Sequence, residues 1–581
     1  MKEMSDQMRV VIASGLSLAI IIAWGLLYRP AAPPSPPANL PAPISAANAG
    51  GSATTPPPAA AAAAPSAPNA VNDTAERTIV IDSGLYRVEL SNRGGVVRSW
   101  QLKNYKDGSN PPKEQQLVHV EATELTGNWP FSLQISDAQA EQTINGALYT
   151  VSAGNDGAAA SPISLKAPAE VEFRWSDGHL AVTKHLKFSN SYVLDVQTSV
   201  QKDGQAVPHR LAWRGGFGDF ALAPAERFSS AFTGAQGGVR VVASNSLGVK
   251  GQTSTPADIP GSFDVVGLED HYFAAAFMPT EPPAGQPEPA IMTITGQQLS
   301  RMTQIAGKPQ TEILPEIAAG TTTIGPMAMR VFVGPKDLDI LKTIRPPLDS
   351  LVNFGWFGFI SAPLFYVLRW MHAYISNYGW AIVLLTAAIN TLLYPLTLRS
   401  WRSMQKMQKV APEVKQIQDR YKKYSMKDPR RQEMNKEVMA VYGREGINPM
   451  GSCLPMLVQM PIWFGINRML TATIELRHAP WMLWISDLSI RDPYYILPVL
   501  MAVMMYVQQK MTPMTATDPS QQRMMTMMPL MMGAMFIFLP LSSGLYLYIL
   551  TSNIIGIAQR WHLNRTAPAK ATNKRADKSD K

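Results

Sequence analysis

Gly379-Trp380-Ala381-Ile382-Val383-Leu384-Leu385-Thr386-Ala387-Ala388-Ile389-Asn390-Thr391-Leu392-Leu393-Tyr394-Pro395-Leu396-Thr397-Leu398 is a run of twenty residues without a charge, ended by Arg399. As a helix rising 1.5 Å per residue it reaches about 30 Å, the thickness of a bilayer's hydrocarbon core. A membrane crossing is predicted here. Further apolar runs follow at residues 453–470, 494–511, 524–541 and 544–561, and one precedes it at 10–28. Six transmembrane helices are therefore expected, five of them gathered in the second half of the chain. An even number places both termini on the same side.

The run at 10–28 follows Lys2 and Arg9 and precedes Arg29-Pro30. It exceeds the roughly 7 to 15 apolar residues of a signal peptide, and no cysteine follows closely that could carry a lipid, so residues 1–28 read as an uncleaved anchor. Residues 29–77 hold Pro33-Pro34, Pro36-Pro37, Pro56-Pro57-Pro58 and an alanine run at 59–64. That composition buries no core and reads as an extended linker. From 78 to 346 the pattern becomes short alternating runs such as Thr78-Ile79-Val80-Ile81 and Leu85-Tyr86-Arg87-Val88-Glu89-Leu90, which predicts a large all-β sandwich. Residues 347–378 include Pro363-Leu364-Phe365-Tyr366-Val367-Leu368-Arg369-Trp370-Met371-His372-Ala373-Tyr374. The apolar part is too short to span and is expected to lie along the outer interface as an amphipathic helix. The bundle occupies 379–561, and 562–581 is a basic tail.

Charge assigns the sides. The whole chain of 581 residues has 52 basic and 43 acidic side chains, net +9, yet the excess is uneven. Residues 399–445 carry 13 Lys and Arg against 6 Asp and Glu, residues 471–493 carry 2 against 3, and residues 29–350 carry 24 against 29. By the positive-inside rule the loop at 399–448 and both termini are cytoplasmic, and the β region is external. Anionic headgroups explain most of the basic balance. The cytoplasmic loop is predicted as a helical hairpin of residues 400–424 and 430–444, with a bend at Pro412. Its cations Arg402, Lys406, Lys409, Lys422, Lys423, Arg430 and Arg431 suit ribosomal RNA or anionic phospholipids, although a solvated charged face is the commoner explanation.

Charged residues are only 16% of the chain, below the roughly 25% of soluble domains. The single Cys453, at the start of a span, reads as a packing residue. Eight histidines form no His-Glu-x-x-His or Cys/His cluster, and neither a Walker A sequence nor Gly-x-Gly-x-x-Gly occurs. No cofactor or metal is expected, and no enzyme activity. Leu541-Ser542-Ser543-Gly544 resembles the Gly-x-Ser-Gly of rhomboid intramembrane proteases but has Leu541 in place of the first glycine, and no span supplies a histidine base.

Polar residues within spans are costly and mark candidate sites. Thr386 and Asn390 share a face one turn apart. With Gln459 and Asn467 in the third span and Tyr548 in the sixth, they would line a polar groove if collected; equally, such residues hydrogen-bond helices to one another. Arg468 lies near the outer end of its span, within reach of the interface. The fifth span holds Met524, Met525, Met527, Met528, Met531, Met532 and Met535, a flexible surface for varied apolar helices or simply a filling of gaps.

Several segments together resemble the YidC family of membrane-protein insertases: Tyr394-Pro395-Leu396-Thr397, Asn448-Pro449 leading to Cys453-Leu454-Pro455, Gln459-Met460-Pro461-Ile462, Glu475-Leu476-Arg477, Asp492-Pro493-Tyr494-Tyr495-Ile496-Leu497-Pro498 and Ser543-Gly544-Leu545. Asn92-Arg93-Gly94-Gly95 and His271-Tyr272-Phe273-Ala274 look like the β domain of its Gram-negative members. The resemblance implies an inner-membrane insertase and chaperone for nascent integral membrane proteins. It also implies a periplasmic β-supersandwich, and a five-helix core with a hydrophilic groove open to cytoplasm and lipid. Members work alone or with the Sec translocon, and the ribosome is a further expected partner. The groove residues would be Asn390, Thr386, Gln459 and Tyr548; the substrate helix would meet Trp463, Met501, Met528 and Met532. Where the family has an arginine or lysine, four residues before the Tyr-Pro-Leu-Thr segment, this chain has Asn390. A small-molecule transporter or channel is the alternative, though no inverted repeat is visible; so is a chaperone without autonomous insertion.

Overall fold

The computed structural model describes residues 70–566, apart from residue 110 and stretches at 154–161, 223–228, 236–237, 244–256, 260–262, 281–289, 302–309, 322–323, 425–427, 448–453, 513–518 and 540. The anchor at 10–28, most of the linker, Cys453 and the tail beyond 566 lie outside the described residues.

Residues 78–335 form three sheets. The widest runs in the order Gly238–Ala243, Ser230–Ala235, Val265–Glu269, Phe273–Pro279, Met327–Pro335, Val193–Lys202, Leu180–Phe188, Ala169–Ser176 and Thr150–Ala153, with Gln205–Ala206 beside Val193–Lys202. A second orders Glu114–Gln116, Val96–Lys106, Tyr86–Ser91, Thr78–Asp82 and Ile163–Lys166, and a third orders Ala257–Ile259, Ala290–Arg301, Gln310–Thr321, His209–Trp213 and Ser132–Ile135. Thr78–Asp82 pairs in parallel with Ile163–Lys166; the other strand pairs are antiparallel. Alternation does the work: in Leu180–Phe188 every second residue is buried. The inward faces meet around Trp100, whose ring lies 5.7–6.5 Å from those of Tyr86, Phe131, Phe188 and Trp213. Two short helices, α1 (Val120–Thr126) and α2 (Ala138–Gly146), interrupt the all-β expectation; Asp137 caps α2 by accepting from the Gln139 and Ala140 amides.

The Asn92-Arg93-Gly94-Gly95 segment is a structural corner. Gly94 and Gly95 take φ of +75° and +55°, and a Cβ on Gly94 would stand 2.4 Å from the Asn145 carbonyl oxygen. Their carbonyls and that of Phe131 accept from the fully buried Lys184 ammonium at 2.7–3.2 Å.

Beyond the sheets come α3 (Leu338–Thr343), α4 (Gly358–Tyr374), α5 (Tyr378–Tyr421), α6 (Arg430–Arg444), α7 (Leu454–Ala472), α8 (Ile496–Met511), α9 (Pro519–Phe538) and α10 (Ser543–Thr566). Helix α4 leaves Phe359, Trp370 and Tyr374 exposed. Among the described residues, α5 is the one helix long and apolar enough by length and composition to cross a membrane, and shorter apolar helices follow at Ile496–Met511 and Thr526–Phe538. The predicted hairpin needs one correction. Its first arm is not a separate helix beginning at 400 but the continuation of α5, which passes through Pro395 and Pro412 without ending. A proline removes one amide donor, and the helix-forming residues on either side carry the rod through. The second arm, α6, packs its Val441 with Val410, Val414, Ile417 and Ile447 in a small core of its own.

The loop joining α7 to α8 caps the bundle on the side of the β domain, burying Ile474, Leu476, Ile485 and Leu488. Asp492 sets the start of α8: its carboxylate accepts from the Tyr494 and Leu497 amides at 3.0 and 2.7 Å and from the Trp484 indole at 3.1 Å.

Candidate functional site

Polar side chains from three helices meet inside the bundle. On α5 the Thr386 hydroxyl, fully buried, donates to the Ile382 carbonyl at 2.6 Å, the return bond a hydroxyl makes when no better acceptor is near. One turn on, Asn390 donates through Nδ2 to the Thr386 carbonyl at 2.9 Å. Its other amide atom, Oδ1, accepts from the Ser552 hydroxyl of α10 at 3.3 Å, and the same Ser552 oxygen accepts from Gln459 Nε2 of α7 at 3.5 Å. Tyr548 sits one turn before Ser552 and is buried, with its hydroxyl beside Gln459.

At 1.5 Å per residue, Asn390, Ser552 and Gln459 lie roughly 14–20 Å from the β-domain ends of their helices, near the middle of a 30 Å span. The cross-helix bonds of 3.3 and 3.5 Å are long, hence weak. Among the described residues Asn553 Nδ2 is buried without a hydrogen-bond partner, and a buried polar atom left so is a place for water or an incoming polar group. The seam is neutral: it can exchange its own loose hydrogen bonds for those of a guest's backbone or side chains.

The structure thus brings Thr386, Asn390, Gln459 and Tyr548 together. Asn467 lies eight residues beyond Gln459, about 12 Å along α7, and Arg468 donates to the Asn353 carbonyl at 3.3 Å. Trp463 is half-buried with its ring 4.9 Å from that of Phe464. Met501, expected to touch a substrate helix, is instead fully buried with Leu497 and Pro498 on the inner face of α8, so it is not presented outward. Met528 is exposed and Met532 half-buried against the core; Met524, Met527 and Met531 continue the exposed row on α9. On the hairpin Arg402, Lys406, Lys409, Lys422, Lys423 and Arg430 are exposed, whereas Arg431 is half-buried and donates to the Tyr424 carbonyl at 3.1 and 3.3 Å. Among the described residues the buried Ser543 hydroxyl has no hydrogen-bond partner, so none of them is joined to it as a base.

Ser552 was not singled out from the sequence, although it links two residues that were. The signal existed: Tyr548, Ser552, Gly556 and Arg560 recur every four residues along one stripe of α10. Gly556 makes room for Gln508, since a Cβ there would stand 2.5 Å from Gln508 Nε2, and Arg560 donates to the Gln508 carbonyl at 3.1 Å.

Two family descriptions match the chain: the YidC periplasmic domain over residues 78–367 and the 60Kd inner membrane protein over residues 370–570. A Membrane protein insertase YidC from Marinobacter nauticus is 31% identical over 98% of this chain and 100% of that protein. One of the same name from Geobacter sulfurreducens is 32% identical over 84% of this chain and 87% of its own length. A solved active YidC insertase with its first transmembrane domain resolved is 18% identical, covering 84% of this chain and 93% of that one at a TM-score of 0.34.

Proposed function

The chain belongs to the YidC family of membrane protein insertases, and from that premise we propose how its residues insert a substrate. It is an inner-membrane insertase with a β-rich periplasmic domain at 78–367 and a helical region after it. A substrate helix of about 20 apolar residues gains roughly 6–12 kcal/mol on entering lipid, whereas one mid-bilayer charge costs about 2.5–3.5 kcal/mol. Insertion is downhill overall, and the obstacle is the polar tail. The seam of Thr386, Asn390, Ser552 and Gln459 takes up that tail transiently and shortens the apolar distance it must cross, while the apolar helix leaves along Trp463 and the exposed methionines of α9. The observation that carries this reading is the chain of loose hydrogen bonds joining α5, α10 and α7 at mid-depth.

The finer topology belongs to the same proposal. Six spans, counting residues 10–28, leave both termini and the 399–448 hairpin in the cytoplasm, with the linker at 29–77, the β domain at 78–346, the interfacial helix at 347–378, the core at 379–561 and the tail at 562–581. The exposed cations of the hairpin meet ribosome or anionic phospholipid, and the Sec translocon is a partner on substrates the chain does not insert alone. No covalent step or cofactor enters.

The test is reconstitution of the purified chain alone into liposomes, scoring protease-protected insertion of a single-span substrate with a short acidic tail. The unmodified chain inserts, and Thr386→Leu with Asn390→Leu slows tail translocation; unchanged rates in that double variant sink the groove assignment. Activity confined to Asn390→Arg assigns the neutral groove to work with partners or as a chaperone.

A further inference from the structure

Two segments that lie some two hundred residues apart, His271-Tyr272-Phe273-Ala274 of the β domain and Glu475-Leu476-Arg477 of the loop between α7 and α8, meet in the fold. The Arg477 guanidinium sits 5.1 Å from the ring centroids of both Tyr272 and Phe273, pairs with the Asp219 carboxylate and donates to Gln115 Oε1 at 2.9 Å. Both members of the ion pair are withdrawn from solvent, their side chains 6% and 4% exposed. Asp219 is fixed in turn: its amide donates to Asp270 at 3.0 Å and its carboxylate accepts from the Gly108 amide at 2.9 Å. Beside it His478 approaches the Lys106 carbonyl at 3.2 Å.

The same loop is fastened to the bundle. Asn377, the cap of α5, donates to the Pro480 and Trp481 carbonyls at 3.2 and 3.0 Å, and Gly379 admits the Trp481 ring where a Cβ would stand 2.2 Å away. The first amides of α10, on Ser543 and Gly544, donate to the Ile490 and Leu488 carbonyls at 2.7 and 2.9 Å. Arg491 reaches the Ile537 carbonyl of α9 at 2.7 Å. One loop therefore ties the ends of α5, α7, α8, α9 and α10, and the buried Arg477, with His478 beside it, ties that loop to the β domain.

We propose that Arg477 is a positioning residue for insertion: seated on Tyr272 and Phe273 and paired with Asp219, it holds the 473–495 loop, and through it the helix ends, in the register that aligns Asn390, Ser552 and Gln459. This role rests on the insertase reading. One guanidinium nitrogen, Nη2, serves both Asp219 and Gln115 while the delocalised cation lies close to two rings; a lysine ammonium at that nitrogen's place would lack the planar face that lies on the rings. Removing either charge strands its partner in a low-dielectric pocket, and the loop then escapes to solvent. Weak cross-helix bonds such as those at Ser552 have no reserve against a shift of the helix ends.

The test uses the full chain in the liposome assay, with Arg477→Met, Asp219→Asn and the two combined, alongside amide exchange of residues 473–495. Expected are insertion slowed by roughly 2- to 30-fold at saturating substrate, the range of remote coupling effects, with half-saturation unchanged. Exchange in the loop rises, and the combined variant is no slower than Arg477→Met alone because both changes break one contact. Should Arg477→Met fail to fold, Asp219→Asn decides. Faster exchange with wild-type insertion overturns the role, as does slower insertion with unaltered exchange. Absence of insertion by the unmodified chain alone overturns the reading of autonomous insertion and this role with it; indifferent variants of an active chain overturn only the latter.

Discussion

Ser552 shows what a single hydroxyl does inside a bundle: it donates to Asn390 and accepts from Gln459, so two amides on different helices share one oxygen. Replacing it by alanine removes both contacts at nearly constant shape. Interhelical hydrogen bonds of this kind are worth about 0.6 kcal/mol on average and about 1.7 at most, so Ser552→Ala should leave the chain folded and slow acidic-tail translocation by roughly 3- to 20-fold in the liposome assay. A rate equal to the unmodified chain's would place Ser552 outside the groove. Thr386 and Asn390 were readable because a polar residue in an uncharged run stands out and four-residue spacing fixes a shared face. Ser552 was not, because serine is common where helices touch and only the partner's position distinguishes a link from a filler.

At the scale of elements, α8 and α9 answer differently to the same residue type. Methionine periodicity cannot say which side of a helix faces the bundle; packing does, and it buries Met501 while leaving Met528 in the open. Photo-crosslinkers at the two positions separate them: position 528 should capture a nascent apolar helix and position 501 should not, and equal capture at both would require α8 to turn or withdraw during insertion. The long α5 carries the same lesson. Its apolar and basic halves read as a span and a separate arm, yet the helical backbone runs on past Pro395 and Pro412 as one rod of 44 residues, so the hairpin's position follows that of the groove helix.

For the molecule as a whole, the junction of β domain and bundle holds titratable groups as well as the Arg477 contact. Burial pushes the Glu475 carboxyl up to about 7, with Asp337 and Asp339 raising it further and Arg369 opposing them. A carboxyl whose folded pKa lies above its unfolded value contributes stability that is complete below pH 4.5 and is lost as pH rises through about 7. Asp270, raised to about 6 by burial, acts in the same direction, and His271, lowered to about 4, acts against it between pH 4 and 6.5. The difference between the unmodified chain and Glu475→Gln isolates the one group. The thermal midpoint of the unmodified chain should fall more between pH 5 and pH 8 than that of the variant, and parallel curves would show that Glu475 is solvated. Nothing in Glu475-Leu476-Arg477 itself announces this, since its neighbours come from residues 337, 339 and 369.

Length, hydropathy and charge by themselves determined that the chain has apolar runs at spanning length after a β-rich region, and a basic helical loop between two of those runs. Periodicity and local composition are properties of neighbouring residues, so a linear reading contains them. The tertiary structure alone decided that Ser552 joins Asn390 to Gln459, that Met501 faces inward, that α5 continues unbroken into the hairpin, and that Arg477 seats on Tyr272 and Phe273. Apart from the continuity of α5, each of these depends on a contact between segments tens to hundreds of residues apart, set by how whole faces pack and not by any short pattern along the chain.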